Sequence, residues 1–382
     1  MARGAAIGTP RPAPGEGWRT RWRAFRTRMV ADPRFQRWAA GFPLTRRIAR
    51  ANTRALFDLC AGFTYSQTLF ACLRLDLFGA LAPGPLGLDG LAARMGLSAE
   101  AASRLLKAAA ALGLVAPLPD GRYALADLGA ALIGNPAIGR MVEHHAMLYD
   151  DLRDPVALLR GEAGPTRLAA YWPYAGQDGT TLGAEAVAPY GGLMAASQAL
   201  IAQDILEAYP LIRHRCLMDV GGGEGAFLTA AARAAPHLQL RLFDLPAVAA
   251  RAQAHLDREG LADRARAIGG SFLAGPLPAG ADAISLVRVV HDHDDEQVRI
   301  MLRAARVALP QHAALIIAEP MSGTPGAEPI TDAYFGFYLL AMGTGRCRTV
   351  AELTALLHEA GFTKVREMPT RRPLLARVLV ST

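Results

Sequence analysis

The stretch that most restricts the fold is Leu217-Met218-Asp219-Val220-Gly221-Gly222-Gly223-Glu224-Gly225-Ala226, an apolar run that empties into glycines and then into a helix-like segment. Backbone without Cβ atoms can turn sharply and still approach a ligand, so the run predicts a strand, a tight loop and a helix beside a nucleotide-type site. The next apolar run, Gln239 to Phe243, ends in Asp244-Leu245-Pro246, where a carboxylate can accept both hydroxyls of a ribose. Gly221, Gly223 and Ala226 also satisfy the G-x-G-x-x-A form of a dinucleotide fingerprint, so this spacing alone does not choose the cofactor.

Around this stretch the chain alternates. Cys216 to Val220, Gln239 to Phe243, Arg266 to Ile268, Ala283 to Val289 and Ala314 to Ala318 are short apolar runs, separated by helix-like segments at Glu224 to Ala235, Pro246 to Glu259 and Glu296 to Leu309. That order predicts an α/β fold with a parallel sheet covered on both faces. Lys364 to Glu367 and Leu375 to Val380 lie close enough to form a terminal antiparallel pair.

Upstream, residues 56–210 read as almost wholly helical. Leu88 to Met95, a turn at Gly96, Ser98 as N-cap and a helix to Leu112 make a helix-turn-helix. Leu114 to Ala116, a Pro-Asp-Gly turn at Pro119 to Gly121, and Arg122 to Leu125 add a wing. The chain of 382 residues has a formal charge of +7, unevenly placed: residues 1–55 hold thirteen Arg against Glu16 and Asp32, a net of +11, leaving −4 for the rest. In that arm Trp18, Trp22, Phe25 and Met29 recur at helical spacing and fall within about 60° of one another, which predicts an amphipathic helix ended by Asp32-Pro33. The chain thus divides into a basic arm (1–55), an all-α winged-helix domain (56–210) and a cofactor-binding domain (211–382).

Several classes are excluded. No apolar run reaches the ~18 residues of a membrane span, Ala108 to Leu118 and Ala333 to Met342 being the best. No apolar stretch near the N-terminus reads as a secretory signal. Cys60, Cys72, Cys216 and Cys347 show no paired spacing and no ligand pattern with His, so neither a metal site nor a disulfide framework is expected, and a cytoplasmic location fits. A winged helix with a basic arm also suits a DNA-binding regulator. Its recognition helix, however, offers only Glu100, Arg104 and Lys107 among alanines, so no nucleic-acid partner is expected.

Two features favour S-adenosylmethionine over a nicotinamide dinucleotide. Asp219 is a costly residue inside a buried strand unless paired, and the ammonium of the sulfonium cofactor offers a partner. The fourth strand empties into Val287-Arg288-Val289-Val290-His291-Asp292-His293-Asp294-Asp295-Glu296, which places His291 at the carboxyl end of the sheet, where ligands bind. Asp294, Asp295 and Glu296, with Asp292, read as an N-cap and first-turn acids of the next helix, not as metal ligands.

Strand-D-V-G-G-G-x-G, D-L-P after the second strand and H-D-x-x-D-E after the fourth together resemble the S-adenosylmethionine-dependent O-methyltransferases of the plant caffeate-type and bacterial small-molecule family. The resemblance covers about residues 56–382. It implies a class I methyltransferase sheet, Rossmann-like with a terminal antiparallel pair, behind an N-terminal winged-helix dimerisation domain and hence a homodimer. It further implies that Gly221 and Gly223 line the methionine and ribose of the cofactor, that Asp244 with Leu245 holds the ribose, and that Ser271 and Phe272 bracket the adenine. His291 would be the general base and Glu319 its acidic partner. Three positions depart from the family pattern: Ser271 replaces an Asp, Val287 a polar residue, and Cys347 the acid of a G-x-E-R-T turn. The first two leave cofactor contacts partly to backbone or to Arg288, and the third leaves catalysis to His291 and Glu319.

The acceptor side is expected between the helical part and the sheet, lined by His145, Tyr190, Met194, Phe335, Tyr338 and Met342, with Met141, Tyr149 and Trp172 near them. So few charges predict a large apolar acceptor. Tyr65 to Phe70, Met194 to Gln198 and Gly222 to Leu228 resemble the carotenoid-pathway branch of the family in purple phototrophic bacteria, which methylates a tertiary hydroxyl on an acyclic carotenoid. An aromatic or polyketide hydroxyl is the alternative acceptor. A bilayer-borne substrate would also give the arm a role, as a peripheral anchor on a membrane surface.

Overall fold

The protein was analysed as a computed structural model that describes residues 17–171, 198 and 200–382. By packing it divides into two compact units, Met1–Gly129 and Ala130–Thr382.

The first unit opens with helices Trp18–Ala31 and Pro33–Gly41. Asp32 precedes a proline and so leaves the helical region, and its carboxylate then caps the second helix by accepting the Arg34 N–H at 2.7 Å. The third helix, Arg46–Arg74, runs through residue 55, where the sequence places the end of the arm. It contains no proline, and the chain breaks upstream instead, around Pro43. The helix-turn-helix follows as expected: Leu88–Met95 ends at Gly96 with φ +67°, and Ser98 accepts the Ala101 N–H at 3.2 Å to start Ala99–Ala111. Its wing is three-stranded. β1 (Leu86–Gly87), β2 (Val115–Pro117) and β3 (Arg122–Leu125) pair in the order β1-β3-β2. A strand of two residues has no alternation to read, which is why β1 is not legible in the sequence.

The second unit carries a seven-stranded sheet: β4 (Cys216–Val220), β5 (Gln239–Asp244), β6 (Ala265–Gly269), β7 (Ala283–Val287), β8 (Ala314–Glu319), β9 (Val365–Met368) and β10 (Arg377–Ser381). The order is β6-β5-β4-β7-β8-β10-β9, with the first five parallel and β10 antiparallel to both neighbours. β4, β7 and β8 are buried along their whole length. Alternate residues feed two cores, as the two-residue period of a strand requires. Leu217, Leu240, Leu242 and Ile316 pack with Phe227, Leu228 and Leu256, while Met218, Val220, Ile284 and Ile317 pack with Met301, Leu302, Leu353 and Leu357. The chain reverses its direction across the sheet between β4 and β7, so the crevice at their carboxyl ends is the natural ligand position.

Residues 130–171, which composition groups with the winged helix, pack with the sheet-bearing unit. Helices Pro136–Asp151 and Arg167–Tyr171 share a core with Phe335–Met342, in which Leu148, Leu158 and Leu168 meet Tyr338, Leu339 and Met342. Helical composition identifies the elements and says nothing about which neighbour buries their apolar faces.

Candidate active site

β4 ends at Val220, and the chain then turns through Gly221 (φ +69°) and Gly223 (φ +56°) before helix Ala226–Ala234. A Cβ on Gly221 would stand 2.7 Å from Val289 Cγ2, so the loop lies against the loop after β7 in a way only glycine allows. The Gly221 N–H donates to Phe243 O at 2.8 Å and the Gly223 N–H to Asp244 Oδ2 at 2.9 Å. Asp244 Oδ1 accepts the Leu245 N–H at 2.7 Å. Burial pushes the Asp244 carboxyl up to about 6, against the pull of these two N–H groups. Each oxygen keeps a second lone pair, so the carboxylate is oriented at the strand end and still able to accept hydroxyls.

Within the protein, Asp219 pairs with a residue that the sequence does not point to. Ser285 Oγ, its register neighbour on β7, donates to Asp219 Oδ1 at 2.6 Å. Burial pushes the Asp219 carboxyl up to about 7, with the Ser285 bond opposing and Asp244 adding to the rise. Its Oδ2 would touch a Cβ on Gly222 at 2.7 Å, so the group sits directly beneath the glycine loop. Ser271 Oγ accepts the Leu273 N–H at 3.2 Å, and Phe272 stands edge-on to His293, ring centroids 5.2 Å apart.

β7 stops two residues earlier than its apolar run, because Arg288 takes φ +57° while its N–H still donates to Ala318 O at 2.9 Å. Val290–Asp292 then forms a single turn of 3₁₀-helix. Glu319, the last residue of β8, receives the whole turn: Oε1 accepts the N–H groups of Val289 (3.0 Å) and Val290 (2.7 Å), and Oε2 pairs with His291 Nδ1. Asp292 Oδ1 lies 3.1 Å from His291 Nε2. Asp292 is therefore no helix cap; that role falls to Asp294, which accepts the Gln297 N–H at 2.9 Å, with Asp295 and Glu296 in the first turn. Burial alone would lower the His291 pKa, but Asp292 and Glu319 outweigh it and raise it to about 10.

Gly345 and Arg348, members of the G-x-E-R-T turn to which the sequence assigned no role, hold this 3₁₀ turn in place. Arg348 is buried and donates to Val290 O (2.9 Å), His293 O (2.8 Å) and Asp295 Oδ1 (2.8 Å). A Cβ on Gly345 would overlap His291 O, so the two backbones touch. Between them Cys347 is held neutral: burial pushes the thiol up to about 12, and Glu319, Asp332 and Asp292 add to the rise.

Beside His291 rises a wall of rings. Phe335 meets the imidazole at 5.7 Å and Tyr334 at 5.1 Å, and Tyr334 lies 5.7 Å from Tyr338. Tyr338 and Met342 are buried among Leu148, Leu158 and Leu168, whereas Phe335 and His145 are half-buried. Tyr190, Met194 and Trp172 lie outside the described residues. His144 and Tyr334 belong to this wall and are absent from the sequence-based set. Their one sequence signal is adjacency to His145 and Phe335.

Comparison with known proteins accords with this geometry. Residues 149–363 match an O-methyltransferase domain, and residues 57–135 an O-methyltransferase dimerisation domain. The chain is 46% identical to demethylspheroidene O-methyltransferase of Cereibacter sphaeroides over 93% of both chains. It is 40% identical to the Rhodobacter capsulatus enzyme of the same name over 97% of this chain and 92% of that one. Among solved structures, CalO1, a methyltransferase in calicheamicin biosynthesis solved with SAH bound, superposes with a TM-score of 0.70 at 28% identity, covering 87% of this chain and 98% of that one. With its dimerisation domain and its sheet-bearing domain both matched, the chain belongs to the S-adenosylmethionine-dependent O-methyltransferase family.

Proposed function

We propose that this O-methyltransferase acts on a tertiary hydroxyl of an acyclic carotenoid, of the demethylspheroidene or hydroxyneurosporene type, with His291 as general base. The likeness to two demethylspheroidene O-methyltransferases over nearly the whole chain carries the acceptor class. The ring wall beside His291 fits it, since it offers carbon and few charges.

S-adenosylmethionine, when bound, supplies a methyl group on a sulfonium that departs by in-line displacement. Gly221 turns the chain where a Cβ would meet Val289, Gly223 leaves open space that a side chain would fill, and Asp244 presents a carboxylate beside them, an arrangement suited to a nucleoside. The family resemblance assigns Ser271 and Phe272 to the adenine, with Leu245 and Arg288 as further cofactor contacts; Ser271 Oγ accepts the Leu273 N–H and Phe272 packs edge-on to His293. Glu319 holds His291 by Nδ1, which leaves Nε2 to take the proton of the acceptor hydroxyl as its oxygen attacks. Asp292 lies against that same nitrogen, so the hydroxyl must compete with a carboxylate for it. An alcohol needs this base more than a phenol does, because it gives up its proton less readily.

Incubation of the protein with labelled S-adenosylmethionine and a panel of hydroxylated carotenoids and phenols, read by mass for the methyl ether, tests the acceptor. Methylation of phenols with none of the carotenoids would reject it.

The arm belongs to the same reading, as a contact with an anionic membrane surface. Trp18, Trp22 and Phe25 are exposed by 73%, 60% and 46%, and Arg21 and Arg28 line the same groove. Near an anionic bilayer each such basic residue contributes about 1 kcal/mol, and the rings suit the headgroup level. No residue of that helix is buried, so a triple Trp18→Ala, Trp22→Ala, Phe25→Ala variant should fold normally. It should bind phosphatidylserine vesicles about tenfold or more weakly than wild type, yet keep its activity on detergent-dispersed substrate. Unchanged vesicle binding removes the membrane role. Among the described residues no helix is long and apolar enough to cross a membrane.

A further inference from the structure

Helix Pro136–Asp151 and the segment 329–342 are joined by two bonds of one kind. His144 Nε2 lies 2.8 Å from Tyr338 Oη, and His145 Nε2 lies 2.8 Å from Tyr334 Oη. The two tyrosines stand one helical turn apart, so consecutive histidines on one helix meet both. The Tyr334 hydroxyl also reaches Met141 Sδ at 3.9 Å. Burial lowers the pKa of His144 to about 4, with His145 adding to the fall, and lowers that of His145; burial also raises that of Tyr334. His144, His145 and Tyr334 are therefore neutral, and the charge that acts on Tyr334 is that of Arg288, which opposes the rise.

The pairs lie directly behind the residue that touches the candidate base. Phe335 packs on His291, on Tyr334 and, at 6.4 Å, on Tyr338. Plain hydrocarbon would make an equally apolar wall, but a phenol and an imidazole bonded to each other are also held in one orientation, because a hydrogen bond is directional where packing is not.

We infer that the two His–Tyr pairs determine acceptor selectivity: in each, the phenol hydroxyl is taken up by the Nε2 of its histidine, so the wall beside His291 presents ring carbon to a polyene instead of a free hydroxyl to a polar acceptor. The inference rests on the carotenoid acceptor proposed above. In the Tyr334–His145 pair, removing one member takes from the other its 2.8 Å partner, whereas removing both restores an apolar surface.

The half-buried pair gives the test, since Tyr334→Phe and His145→Leu change volume little. Each single variant should lose about tenfold in kcat/KM for a hydroxylated acyclic carotenoid, mainly through KM, because a polar group left without its partner must be covered by the bound polyene, at roughly that factor. Each should also lower the preference for the carotenoid over a small phenol, a ratio that general loosening of the fold would not move. The double variant should return to within about threefold of wild type in both measures, the non-additivity expected of bonded neighbours. Affinity for S-adenosylmethionine, by calorimetry, should stay within about twofold throughout, confirming an intact fold. Additive losses in the double variant, or single variants with the wild-type carotenoid-to-phenol ratio, overturn the inference. Wild-type protein that methylates phenols and no carotenoid overturns the acceptor class itself, and does so before any variant is made.

Discussion

Around the ends of β4 and β5 the site is made of backbone, whereas around His291 and the Phe335–Met342 helix it is made of paired side chains. On the first side, the shape comes from left-handed glycines, and the carboxylate of Asp244 is held by N–H groups at residues 223 and 245. On the second side, Glu319 reaches His291 from another strand, Arg348 reaches Val290 and His293 from another loop, and His144 reaches Tyr338 across 194 residues. A backbone-made site depends on local chain geometry and tolerates few substitutions at its glycines. A side-chain-made site depends on register and packing, and can be retuned one pair at a time.

That contrast can be broken by experiment. The largest effect should follow His291→Ala, which removes the proposed base and leaves the glycine loop untouched. Methyl transfer should fall by about 10² or more while affinity for S-adenosylmethionine stays within a few fold, measured by single-turnover assay and calorimetry. Full activity in this variant would remove His291 from the chemistry. Gly221→Ala should act on the opposite side. A left-handed φ of +69° costs a side chain about 1–2 kcal/mol, and the new Cβ would meet Val289, so cofactor affinity should fall by about tenfold or more. Unaltered cofactor binding would mean that the loop is not the cradle.

The smallest effect should come from Asp292→Asn, read as a pH profile. A base works only in its neutral form, and the His291 pKa is raised to about 10, against the effect of burial, by Asp292 and Glu319. The profile of kcat/KM should therefore rise with pH from neutrality upward. Removing the Asp292 charge lowers the imidazole pKa, so the rising limb should move to lower pH by about one unit. A limb that stays where it is would show that Asp292 does not bear on the nitrogen that takes the proton.

The two sides also differ in how much of them could be read from the chain. The glycine loop, Asp244, His291 and Glu319 each follow directly from the end of a strand, and strand ends are visible as the points where apolar runs stop. Even here the details escape. β7 ends two residues before its apolar run does because Arg288 adopts a left-handed angle, and Asp219 finds Ser285 because β4 and β7 pair in one register and not another. Periodicity carries neither fact. Arg348 and Gly345 stand in the G-x-E-R-T turn, yet their role was not legible for a similar reason: both meet backbone atoms of a distant loop, and backbone atoms have no residue type to recognise.

What the sequence determined by itself is the sheet, its alternation with helices, the winged helix and the strand-end residues, because short-range periodicity and turn chemistry specify elements of this kind. The tertiary structure alone decided that residues 130–171 pack with the sheet-bearing unit, that Asp292 turns inward onto His291, and that two consecutive histidines meet two tyrosines one turn apart. Each of these depends on which buried surfaces meet, and burial is a property of the assembled chain, because an apolar face or a polar side chain acquires its partner only when distant segments come together.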